Sequence, residues 1–266
     1  MKLSSPFLLF TALGIITLSG CTSLYLSNPL PAPVFNNAGE FQANVSGSTN
    51  GASAQVAFAY DEDSKSGFAV MANANYLSQH ENLGFDLNPA TDFLKYKQQY
   101  VEAAWGEFIK PVKQETSSYW VGAGIGKMEN LFKLNELDLS FIGPNDTYLN
   151  TNYFKIFFQS NGGVVSGNTE SIGIFRISYF QAYHIESDYF IYNKNVNGVF
   201  LEPGGSIKIG YKFLKFCFNF GASIRFPRIT LGGDWLIGFH GHEYSYNYRP
   251  FYFGLGVQLD VFNKSH

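Results

Sequence analysis

The stretch "KFCFNFGASIRF", Lys215 to Phe226, decides the fold. Phe216, Phe218 and Phe220 alternate with Lys215, Cys217 and Asn219. Ala222, Ile224 and Phe226 continue the first set, and Gly221, Ser223 and Arg225 continue the second. A period of two is a strand with unlike faces. In a water-soluble sheet the phenylalanine face turns into a core. In a chain dissolved in lipid the same face turns outward, and the small, polar and charged face turns in.

Composition favours the second solvent. Charged residues make up 15% of the 266-residue chain, where a soluble domain carries roughly 25%. Aromatic residues reach 18%, with 27 Phe and 17 Tyr, and Gly also numbers 27. Yet mean hydropathy is only −0.06, so the chain is not a bundle of apolar helices. Strands that are greasy on one side and small or polar on the other give this balance. A net charge of −3 is too weak a field to suggest a nucleic-acid partner.

Roughly ten segments from Glu40 onward share the alternation. They begin "EFQANVSG", "AQVAFAY", "GFAVMANANYL", "YVEAAWGEFI" and "SYWVGAGIG". They continue "YFKIFFQ", "SIGIFRISYF", "SIKIGYKF", the opening stretch and "FYFGLGVQLDVF". Glu102, Lys155, Arg176, Lys208, Arg225 and Asp260 fall on the polar parity, among Gly, Ala, Ser and Asn. A sandwich exterior would carry more charge and less glycine. A narrow lumen suits small side chains and a few charges that pair. Four bases against two acids leaves that pairing incomplete without lumen water. Two details break the pattern: Glu107 shares parity with Trp105, and Ile172 and Ile174 fall on the inward face.

The connections point the same way. Residues 61–66, 110–117, 161–168 and those around Leu214 are short. Residues 78–95, 128–151, 183–203 and 227–249 are long, and the two kinds alternate. The expectation is an all-β chain: a single closed antiparallel transmembrane β-barrel of about ten strands, with eight or twelve open. The pattern resembles that of bacterial outer-membrane barrels, with tight periplasmic turns and larger extracellular loops. The final "GLGVQLDVF", through Gly256, Leu259, Val261 and Phe262, resembles their C-terminal insertion signal, with Asn263 to His266 left as a periplasmic tail.

The N-terminus reads as targeting. "MKLSSPFLLFTALGIITLSGC" has a basic Lys2, an apolar run from Phe7 to Leu18 and then Leu18-Ser19-Gly20-Cys21. It resembles the bacterial lipoprotein lipobox. The resemblance implies removal of residues 1–20 and acylation of Cys21, as by palmitate. Thr22 in place of Asp implies release to the outer membrane. Residues 21–38, with Pro29, Pro31 and Pro33, read as a proline-rich periplasmic tether. Residues 39–262 are then the barrel. An even strand number puts both chain ends in the periplasm and the lipid in the inner leaflet. Cys217 is left without a disulfide partner and reads as a small filler.

Few motifs suggest chemistry. "GAGIGKM", Gly122 to Met128, lacks the spacing and hydroxyl of a phosphate loop and reads as a glycine-lined strand. His240 and His242 in "HGHEY" are the only metal candidates, two imidazoles needing a third ligand such as His184, Glu186 or His80. His184, Glu186 and Ser187 are the base, orienting carboxylate and nucleophile of a possible ester chemistry at the outer rim. Tyr244, Tyr246 and Tyr248 share one parity and form a candidate binding strip for a glycan or surface protein, or an interfacial girdle. No cofactor is expected. The leading expectation is a structural or surface-binding barrel without catalysis. The alternatives are a lipid-modifying acyl hydrolase or transferase, and a soluble lipid-anchored β-sandwich or small-ligand barrel.

Overall fold

The computed structural model describes residues 28–63, 65–80, 93–133, 146–187, 191–192, 196–211, 213–225, 238–239, 242–243 and 251–262. These are β-strands and their links, with no helix among them. Ten long strands form the body. β1 to β5 are Glu40–Ser48, Gly51–Glu62, Ser66–His80, Phe93–Val112 and Glu115–Lys133. β6 to β10 are Asp146–Ser166, Thr169–Ser187, Val196–Tyr211, Leu214–Ala222 and Phe251–Phe262. Each pairs antiparallel with the next, and β10 returns to β1 from Glu40↔Phe262 to Ser48↔Gly254. The sheet is a closed ten-stranded barrel. Closure leaves no edge strand and gives every strand two hydrogen-bonded neighbours, as a backbone in hydrocarbon requires.

The faces are those of a chain in lipid. Phe216, Phe218, Phe220, Val45 and Leu255 point outward, Leu255 at 70% exposure, while Arg176 and Lys155 are at 1% inside. The β-sandwich alternative is overturned by this arrangement. Of the breaks in alternation, Glu107 lies near the lower end of β4 between Phe68 and Tyr119. Ile172 and Ile174 are buried in the bore against Leu30, Ala32 and Val34.

Residues 63, 65, 113–114, 167–168 and 213 lie at one end of the barrel, the turn end. The tight turn at Thr49 and Asn50 lies at the other, the loop end, with the strand ends at His80, Phe93, Lys133 and Asp146. The wall is uneven: β1 and β9 have 9 residues each, β4 has 20 and β6 has 21. At about 3.3 Å per residue the difference is about 40 Å of strand. The strands are longer than the alternation predicts, and the long links correspondingly shorter. Above the lipid neither face need be apolar, so pairing continues through sequence such as Lys97 to Gln99 and Asn150 to Asn152 without a clean period.

Candidate functional site

The bore is filled from two sources. The first is the barrel's own inward face. Arg176 donates from both terminal nitrogens to Glu102, at 2.9 and 3.0 Å, and from Nε to Gln159 at 2.8 Å. Its guanidinium lies 3.8 Å from the centre of the Phe157 ring. Tyr100 donates to Glu102 at 2.9 Å. Lys155 pairs with Glu202 at 2.8 Å, and Ser178 donates to Glu202 at 2.7 Å. Nearer the turn end Glu170 sits between Lys208 and Lys215, at 3.4 and 2.5 Å, and Lys215 also contacts Asp260.

Five of the six expected lumen charges are therefore inside and paired or bonded: Glu102, Lys155, Arg176, Lys208 and Asp260. Arg225 forms a short pair with Phe200 on β8, and its side chain lies outside the described residues. The expected shortage of acids is corrected by Glu170, at the start of β7 just past the expected link 161–168, and by Glu202, which falls in β8 rather than in the expected link 183–203. Pro203 masked Glu202, since proline reads as a strand breaker. It stands opposite Phe175 of β7, just past the last regular pair with β9, Gly204↔Gly221. Among the described residues five buried acids, Glu40 at the turn end included, share the bore with four bases, Lys215 included.

The second source is the chain ahead of the barrel. Residues 28–35, read from the sequence as part of a tether, are all buried and run through the bore. Phe35 anchors an apolar cluster with Phe108, Trp120 and Phe157, its ring 5.5 Å from that of Phe108. Val34 exchanges hydrogen bonds with the Gln42 amide. The Ala32 carbonyl accepts from Lys208 at 2.6 Å and the Pro31 carbonyl from Gln159 at 2.7 Å. The Leu30 N–H donates to the Tyr252 hydroxyl at 3.1 Å. Prolines at alternate positions keep the strand-like segment from joining the wall, and barrel side chains satisfy its carbonyls instead. The sequence held a signal for this: inward isoleucines in a polar lumen need an apolar partner.

Glycines make room inside. A Cβ on Gly126 would lie 2.3 Å from the Tyr153 ring, and one on Gly124 would lie 2.4 Å from the Tyr100 hydroxyl. The stretch "GAGIGKM" is thus the seat of the lumen aromatics. Free Cys217 is buried and accepts from Asn44 at 3.3 Å.

Of the chemical candidates, His184 and Glu186 meet at 3.2 Å near the loop end of β7, each about half exposed. A bulge at Tyr183, between the pairs Asn152↔His184 and Tyr153↔Ala182, sets their direction. Ser187 ends the same strand, and its side chain is outside the described residues. So are His240, Tyr244, Tyr246, Tyr248 and the side chains of His80 and His242. No group of three metal-ligating side chains occurs among the described residues. On the outer wall a shallow apolar hollow of about 520 Å³ lies among Phe41, Phe58, Val70 and Trp105, over Ala72 and Ala103.

A closed barrel with aromatic and aliphatic residues outside and paired charges inside is built for a membrane. This is a closed transmembrane-type β-barrel. No protein-family profile matches the chain, and no curated protein matches its sequence. Among solved structures it is similar to LpxR from Salmonella typhimurium, with a TM-score of 0.37 and 7% identity, over 83% of this chain and 99% of that one.

Proposed function

We propose that this barrel resides in the bacterial outer membrane, lipid-anchored through Cys21, and carries its long loops at the cell surface for a structural or binding role without catalysis. The observation that supports this reading is the filled bore. Phe35 at 1% exposure and Glu202 at 0% sit where a channel or an enclosed ligand site would need space. What remains for function is the loop end, where a glycan or another surface protein is the partner. Replacing Tyr244, Tyr246 and Tyr248 with alanine tests it. Binding of whole cells to glycan arrays or host cells should fall, while the folded band on an unheated gel persists. Unchanged binding removes these tyrosines from the role.

The His184–Glu186 contact favours a second reading, an acyl hydrolase or transferase at the outer rim with Ser187 as nucleophile. It predicts a change in the mass spectrum of outer-membrane lipids on expression, lost in His184→Ala. A spectrum identical with and without the protein rules this reading out.

A further inference from the structure

The segment ahead of β1 climbs the bore from end to end. At the turn end the Asn36 N–H donates to Glu40 at 2.8 Å and the Gly39 N–H to the Ala59 carbonyl at 2.7 Å. Leu30 is bonded to Tyr252, the second residue of β10 and so near the loop end. Asn28 accepts from Gln98 at 3.4 Å. Gln98 stands level with Leu77 and Met128, high on the wall. Residues 28–35, extended, cover about 22 Å at about 3.1 Å per residue, above the turn that residues 36–39 form at the turn end. The apolar band of an outer-membrane barrel is about 25 Å tall.

Cys21 lies seven residues further on. Seven residues reach at most about 25 Å, and the reversal that a return from Asn28 requires takes up part of that, which leaves too little to bring Cys21 out at the turn end. The bore beside the segment is narrow: among the described residues, a cavity of about 10 Å³ lies between Pro31, Asn73, Ser206 and Lys208, room for about one water and not for a second strand of chain. The loop end, by contrast, has a low rim at the Thr49–Asn50 turn between the short β1 and β2.

We propose that the chain ahead of Asn28 leaves the barrel at the loop end, so that Cys21 lies at the outer face of the membrane and its acyl chains enter the outer leaflet near the β1–β2 turn. The leaflet assignment rests on the acylation of Cys21. The direction of exit rests on residues 28–39 alone. This reverses the inner-leaflet placement expected from strand parity, because the bore carries the N-terminus across the membrane once more than the strands do.

The test is thiol labelling of full-length protein in cells with an outer membrane. Single variants Thr22→Cys and Leu24→Cys are treated with a membrane-impermeant maleimide, before and after permeabilisation. Asn168→Cys, at a turn-end link, reports membrane integrity, and the parent chain sets the background. Thr22→Cys or Leu24→Cys labelled equally in intact and permeabilised cells, with Asn168→Cys labelled only after permeabilisation, is the expected result. Labelling of both only after permeabilisation, or of neither in either state, overturns the exit. Acylation is read separately, as alkyne-palmitate incorporation lost in Cys21→Ala. Its absence would sink the anchor while leaving the direction of exit to the maleimide result.

Discussion

Arg176 shows how much of the interior depends on single side chains. At 1% exposure it has Glu102, Gln159 and the face of Phe157 around it. Arg176→Met leaves the Glu102 carboxylate buried without its countercharge, a loss of about 3–5 kcal/mol. Adding Glu102→Gln should recover most of that, because no unpaired charge then remains. Urea titration of the folded band on unheated gels measures both variants; equal stability of Arg176→Met and the parent would contradict the pairing. Glycine gives a second contrast. Gly126→Ala drives a methyl into the buried Tyr153 ring and should cost about 1–3 kcal/mol. Gly162→Ala, with nothing within 4 Å, should cost little by the same titration. Which charges point inward was legible, because parity along a strand follows directly from the sequence. Which charges meet was not: Glu102 and Arg176 are brought together across the bore from β4 and β7, and no spacing along the chain encodes that.

Hairpins govern the elements. β4 and β5 join through Lys113 and Gln114, both with positive φ, 51° and 77°. Two left-handed residues form the turn whose twist suits a tight hairpin, and Asn-Gly is the pair that adopts it without strain. Lys113→Asn with Gln114→Gly should therefore raise stability by about 1 kcal/mol, seen as a higher urea midpoint; a fall would mean that the lysine or glutamine side chain carries a contact worth more than the strain. In the lipid-spanning halves of the strands the sequence was easy to read, since hydrocarbon enforces strict alternation. In the upper halves of β4 to β6 it was not, because water on both sides permits either face to be polar. Pro203 hid the middle of β8 for a different reason: the cost of one missing N–H is local, and neighbouring pairs from Thr169↔Ile209 to Ala182↔Val196 outweigh it.

For the molecule as a whole, the fold turns a soluble protein inside out only in part. Its outer surface is apolar, yet the bore is not uniformly polar. Its turn end is a small apolar core around Phe35, and further up Ile172, Ile174 and Tyr252 close on Leu30, Ala32 and Val34. Those inward residues would face water if the segment were absent, so the segment and the wall need one another. Eight strands enclose a lumen that side chains alone fill, and ten enclose a wider one; here the inserted chain occupies part of that extra width. Full-length protein in planar bilayers should then show no steady conductance. A chain with residues 22–35 deleted keeps residues 1–21 and every strand. It should insert, stay heat-modifiable and give discrete openings, while Phe35→Ala, which removes one ring, should give brief and rarer ones. A deletion chain that folds yet never conducts would mean that the ion pairs of Arg176, Lys155 and Glu170 close the bore unaided and that the segment serves position rather than sealing.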